Sequence, residues 1–151
     1  MLGIAIYFER RSDCGRDYPV ERWKSLACAF AVDKFFLIDC VRLPCFQPEF
    51  PNLEIVESLD DIDFPADYVY VDNVCPPNRT SCELKNFVHP DDALYVFGAD
   101  AGGIKEINHR TPIDRPGAWV HIATETQHSI WVQQAAAITL YERHRFRNAG
   151  K

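Results

Sequence analysis

The stretch "YVFGADAGGI", residues 95–104, carries the reading of the fold. An apolar run beginning at Ala93 ends on Gly98, one carboxylate follows at Asp100, and Gly102 and Gly103 precede "IKEINH". An unbroken apolar run closed by a glycine reads as a strand buried on both faces. The glycine pair ahead of residues 104–109 reads as the entry to a short helix over 102–109. Gly98 has two possible uses: an ordinary tight turn, or backbone left bare so that a ligand can lie against it. It does not belong to a phosphate loop, because the chain has neither G-x-x-x-x-G-K-[S/T] nor G-x-G-x-x-G there.

Working outward, residues 2–8, 34–40, 53–58, 67–73 and 118–123 repeat the pattern of β-branched and aromatic runs and are expected as strands. "PVERWKSLACAFAV" (19–32) opens on a proline, favoured at a helix start, and spaces Val20, Trp23, Leu26, Ala27 and Phe30 by three and four. The same periodicity predicts one long helix over 129–147, with Ile130, Val132, Ala135, Ala136, Ile138, Leu140 and Tyr141 as its apolar positions. Residues 43–52 and 75–81 read as loops, and 58–66 and 82–88 as short helical turns. Strands alternating with helices predict the α/β class: a mostly parallel sheet with helices on both faces, in one domain over residues 1–151. Ligands of such sheets lie beyond the carboxyl ends of the strands, where Gly98 falls.

Bulk properties narrow the function. Of 151 residues, 47% are apolar and 25% charged, which suits a globular domain. No run approaches the length of a membrane span. "MLGIAIYFERR" has no basic region ahead of its apolar stretch, so it reads as a first strand and not a signal peptide, and a cytoplasmic location is expected. The six cysteines, at 14, 28, 40, 45, 75 and 82, form no C-x-x-C pair and are expected as free thiols, with no metal site. The net charge of −6 is uneven: no basic residue stands between Arg42 and Arg79, an interval that holds eight carboxylates. Arg10, Arg11, Arg16, Arg22 and Lys24 lie near one end, and Arg143, Arg145, Arg147 and Lys151 at the other. If the ends converge they make a basic face on an acidic body; otherwise both are simply solvated.

Three segments in order carry a resemblance. Phe97, Gly98, Asp100, Gly103 and Ile104 fit "FG-x-E-x-x-G-[LI]", with Asp for Glu. Ile122, Ser129, Ile130, Ala135, Ile138, Leu140, Tyr141 and Glu142 fit a strand ending in "IP", then "SLN-x-x-x-A-x-x-[IV]-x-LYE". Residues 2–39 follow a first strand and helix of the type "N-x-G-x-x-x-R-T-x-x-x-F-G-V-D". Together they resemble the SPOUT-class RNA methyltransferases, in the SpoU branch that methylates ribose 2′-hydroxyls, over nearly the whole chain. The resemblance implies a C-terminal trefoil knot, a homodimer, an RNA substrate, most often tRNA in small members, and S-adenosylmethionine as cofactor. The implied cofactor residues are Val71, Phe97, Gly98, Asp100, Gly103, Ile122, Ser129 and Ile130. Arg10, Arg11 and Arg16 fall in the loop that grips RNA in that family.

The departures are as informative as the matches. The family's catalytic arginine falls at Ser25 or, one residue slipped, at Lys24; the asparagine of "SLN" is Trp131, and the proline of "IP" is Ala123. A ribose hydroxyl is a poor nucleophile near neutral pH, so something must take its proton or stabilise the developing alkoxide. Lys24, Arg22 and Ser129 are the candidates for that work. Lysine supplies charge without the planar fork of arginine. Two readings follow: an active tRNA 2′-O-methyltransferase, or a relative that keeps the fold and serves as an RNA- or protein-binding module.

Overall fold

The structure, a computed structural model, describes residues 1–7, 20–38, 52–99, 103–104, 113–126 and 130–149. Its strands are β1 (Leu2–Tyr7), β2 (Lys34–Ile38), β3 (Leu53–Val56), β4 (Asp67–Val71), β5 (Ser81–Glu83), β6 (Ala93–Phe97) and β7 (Ala118–His121). They form one sheet in the order β3-β2-β1-β6-β4-β7-β5, and every neighbouring pair is parallel. The α/β reading with a mostly parallel sheet holds. Central strands have no solvated face, and all six residues of β1 and all five of β6 are buried.

Two α-helices are described: α1 (Val20–Ala29) and α2 (Val132–Asn148). Both lie against the same face of the sheet. There Trp23, Ala136 and Leu140 join Ile4, Ile6, Leu37, Val71, Tyr95, Phe97 and Val120 in one apolar cluster. Trp23 meets Phe35 edge-on, with ring centroids 5.3 Å apart, a contact of about 0.5–1.5 kcal/mol beyond its burial. Helices had been expected on both faces. Among the described residues the other face is closed instead by the 3-10 turn Leu59–Asp61 with Ile62, Phe64, Ile104 and Ile113. The expected helix over 102–109 falls almost wholly outside the described residues.

Local chemistry sets the boundaries. Helix α1 ends where Ala31 takes a left-handed φ of 51° and the Val32 N–H bonds the Ala27 carbonyl at 2.9 Å. This is a glycine-type termination carried by alanine, costing about 1 kcal/mol. Helix α2 starts at Val132 and not 129, because Trp131 is extended and its N–H is held by Gln134 Oε1 at 3.2 Å. Strand β3 stops at Val56, before Ser58, whose N–H donates to Asp61 Oδ2 at 2.9 Å. Residues 82–88 were expected as a helical turn. Ser81–Glu83 instead pair with β7, and the 3-10 turn is Leu84–Asn86. Cys82 alone of those three faces the helical side of the core, so the strand owes its existence to its neighbour and not to its own propensity.

Candidate functional site

Strands β6, β4 and β7 are adjacent and end nearly level: Phe97 and Val71, the last residues of β6 and β4, stand opposite each other, and Val71 is opposite Val120, one residue before the end of β7. The three chains that leave this carboxyl edge begin at Gly98, Asp72 and Ile122. Val71, Phe97 and Val120 belong to the helical-side cluster, and half-buried Ile122 packs against it. The structure thus gathers Val71, Phe97, Gly98 and Ile122 at one edge. Ile130 is half-buried at the entry to α2. Asp100 and Ser129 lie outside the described residues, as do Arg10, Arg11 and Arg16.

The question posed by Gly98 has a specific answer. The chain turns back on itself: Ala99 and Gly103 exchange both backbone bonds, at 2.9 and 3.1 Å. Gly103 has a φ of 61°, the left-handed region that favours glycine. A Cβ on Gly98 would stand 1.9 Å from the carbonyl carbon of Gly103 and 2.4 Å from the nitrogen of Ile104. Gly98 is therefore bare because its own turn packs on it. The Cβ side of Gly98 is filled by the returning backbone.

Asp72, not singled out from the sequence, ties the edge together. Its Oδ2 accepts the Ile104 N–H at 2.8 Å and its Oδ1 the Val74 N–H at 3.0 Å. Its own N–H donates to the Val120 carbonyl at 3.1 Å. The sequence signal was slight, an acid and an asparagine directly after an apolar strand, which reads as any turn. Beside this edge, the Ser81 hydroxyl lies 2.8 Å from His121 Nδ1 and links β5 to the end of β7.

Two of the catalytic candidates, Arg22 and Lys24, lie on α1. Trp23 is turned into the core, Arg22 is exposed and Lys24 is half-buried. At about 100° per residue, Arg22 and Lys24 stand about 200° apart around α1, on opposite flanks of Trp23.

The basic C-terminal stretch is also not the free face its sequence offered. Arg143 is buried and donates to the Asp91 carbonyl at 2.7 Å, Arg145 pairs with Glu142 at 2.7 Å, and Arg147 pairs with Asp91 at 3.2 Å. Under α2, His89 Nδ1 lies 2.6 Å from the Tyr95 hydroxyl. Burial, helped by the nearby Arg143 charge, pushes His89 down to about 4, so it is neutral near pH 7. This cluster is structural. On the opposite face Arg115 lies over the Tyr68 ring and donates to the Ile62 carbonyl at 2.9 Å, so its guanidinium is likewise committed. No group of metal-binding side chains occurs among the described residues.

No protein-family model and no curated protein matches the chain. Among solved structures, the SpoU methyltransferase AviRb from Streptomyces viridochromogenes superposes with a TM-score of 0.69 at 15% identity. The match covers 99% of this chain and 61% of AviRb. The fold is that of the SpoU methyltransferases. AviRb in complex with the cofactor AdoMet gives a TM-score of 0.70. A putative RNA methyltransferase from Bacillus anthracis gives 0.65 at 15% identity, over 98% of this chain and 95% of that one. A protein studied for the 2-OH methylation of C/U34 on tRNA gives 0.63 at 14% identity, over 97% and 90%. The chain thus spans about three fifths of AviRb but nearly the full length of the other two. At such identities the likeness is one of fold.

Proposed function

We propose that the protein is an S-adenosylmethionine-dependent RNA methyltransferase that acts on a ribose 2′-hydroxyl of tRNA. The observation that carries this reading is the carboxyl edge of β6, β4 and β7, where three loops meet in the fold of AviRb, a protein solved with AdoMet. The residues present fit that cofactor. Val71 and Phe97 make an apolar floor, Ile122 adds a half-buried flank, and the main chain leaving Gly98, Asp72 and Ile122 would supply backbone groups. An adenosyl group asks for that combination of apolar contact and backbone hydrogen bonding. When bound, the cofactor supplies an activated methyl on a sulfonium centre. The chain's own work is to orient the ribose and ease the loss of its proton: Lys24 or Arg22 would stabilise the developing alkoxide, and Ser129 would hydrogen-bond the hydroxyl. Asp100, Gly103 and Ile130 would complete the cofactor loops, and Arg10, Arg11 and Arg16 would meet phosphates.

Two finer features belong to the same reading. Strand β7 lies between β4 and β5, while β4 lies between β6 and β7. The connections β4–β5 and β6–β7 therefore pass over one another's strands, which supports a trefoil knot in a fold class where threading is otherwise rare. Ile138 and Tyr141, at 40 and 57% exposure, share one face of α2, and Trp131, 68% exposed, stands just before its first turn. A large exposed apolar stripe of this kind supports a homodimer through α2. The cytoplasm is the compartment where such an enzyme would meet tRNA.

A second reading has its own support: catalysis lost, binding kept. Ser25 stands exposed at the family's arginine position, and the C-terminal arginines are engaged within the chain. Calorimetric titration with S-adenosylmethionine and S-adenosylhomocysteine, followed by radiolabelled methyl transfer to unmodified tRNA, separates the two. Binding with transfer that Lys24→Ala abolishes, cofactor affinity being unchanged, supports the enzyme. Binding without transfer supports the module, and no binding at millimolar ligand removes both cofactor readings.

A further inference from the structure

We propose that Asp72 is a positioning residue of the cofactor pocket: its carboxylate holds the turn after β6 and the loop after β4 in one fixed arrangement. The inference rests on reading the carboxyl edge as an S-adenosylmethionine site. Its physical basis is the division of labour around the turn. The two backbone bonds between Ala99 and Gly103 close the turn but do not set its orientation to the sheet. The buried side chain of Ile104 sets its depth. Among the described residues, the bond from the Ile104 N–H to Asp72 Oδ2, 2.8 Å long, joins the end of the turn to the strand beside it. The other oxygen takes the Val74 N–H at 3.0 Å, so a single carboxylate sets the backbone of two of the three proposed cofactor loops. The Asp72 N–H, bonded to the Val120 carbonyl at 3.1 Å, ties both to β7, from which the third loop departs.

The chemistry requires an acceptor on both oxygens, which only an ionised carboxylate supplies. Asparagine would turn an amide N–H toward one of the two backbone donors. Glutamate would place its oxygens one methylene too far along. A half-buried carboxylate whose two oxygens each accept a backbone N–H also resists rotation, which suits a part that must be formed before a ligand arrives.

The test compares Asp72→Asn and Asp72→Ala with Asp33→Ala. Asp33 is a carboxylate of like role whose Oδ2 accepts the Leu2 N–H at 2.7 Å, in the turn entering β2. Titration with S-adenosylhomocysteine reads affinity, thermal unfolding reads stability, and amide hydrogen exchange reads the Ile104 and Val74 N–H groups. The expected result is at least tenfold weaker binding for both Asp72 variants, with those two amides losing protection, while Asp33→Ala loses stability and keeps wild-type affinity. Wild-type affinity in Asp72→Ala, or an equal loss in Asp33→Ala, overturns the proposal. If the wild-type protein itself fails to bind, the cofactor reading falls and takes the proposal with it. That outcome is distinct from failure of the clasp alone, in which the wild type and Asp72→Ala bind equally.

Discussion

Replacing Gly98 by alanine puts the account of the turn at risk. The added methyl would stand 1.9 Å from the Gly103 carbonyl carbon, 2.2 Å from its oxygen and 2.4 Å from the Ile104 nitrogen. All three are backbone atoms, so no side chain can rotate out of the way. The turn must swing off the sheet, which breaks the two Ala99–Gly103 bonds and the bond from Ile104 to Asp72. Two backbone bonds at about 1 kcal/mol each, plus one to a charged acceptor at about 1.5–3 kcal/mol, sum to roughly 3–5 kcal/mol. For a domain of this size that corresponds to a fall of roughly 10–15 °C in the unfolding midpoint. Thermal unfolding followed by circular dichroism, without ligand, measures it. A midpoint within about 2 °C of wild type refutes the reasoning. Glycine would then be needed for a ligand and not for the turn, and the damage from Gly98→Ala would appear only in cofactor affinity.

Two further perturbations address other parts of the molecule. His89 has a folded-state pKa lowered from 6.5 to about 4 by burial and by Arg143, so the unfolded chain binds its proton more readily. Stability should be intact above about pH 6.5 and decline by up to about 3 kcal/mol as the pH falls to about 4; urea unfolding across that range should show the slope, and His89→Gln should flatten it. On α2, Ile138→Glu combined with Tyr141→Glu places charges in the exposed stripe without touching buried Ala136, Leu140 or Arg143. Light scattering should report a monomer with an unchanged unfolding midpoint in dilute solution, and a persistent dimer would place the interface elsewhere.

The parallel sheet was legible because burial on two faces leaves no room for polar alternation. Residues 34–38 and 93–97 could hardly be anything but central strands once their apolar runs were seen. Residues 20–30 and 132–147 announced themselves by helical spacing. Strand β5 did not, since Ser81, Cys82 and Glu83 have little β-propensity and are recruited by β7. The edge of the sheet was half legible. Phe97, Gly98 and Ile122 came from motifs and Val71 from the resemblance they carry, and the structure brings the four to one edge. Asp72 escaped notice because its partner Ile104 is 32 residues away and contributes only a backbone N–H, which every residue but proline has.

Arginines 143, 145 and 147 show where charge counting fails. All three look alike in sequence, as the basic end of a long helix. The helical turn separates them: Arg143 falls on the stripe of Ala136, Thr139 and Leu140 and goes inward, while Arg145 and Arg147 remain outside and find Glu142 and Asp91. A buried cation must be hydrogen-bonded or be costly; the Asp91 carbonyl accepts from one guanidinium nitrogen of Arg143, while its Nε has no partner. Of these three, Arg143 is thereby withdrawn from any surface that could meet RNA. If the protein does grip RNA, neutralising Arg10, Arg11 and Arg16 should lower both affinity and its salt dependence, whereas Arg145→Gln, which removes only an internal pair, should alter neither.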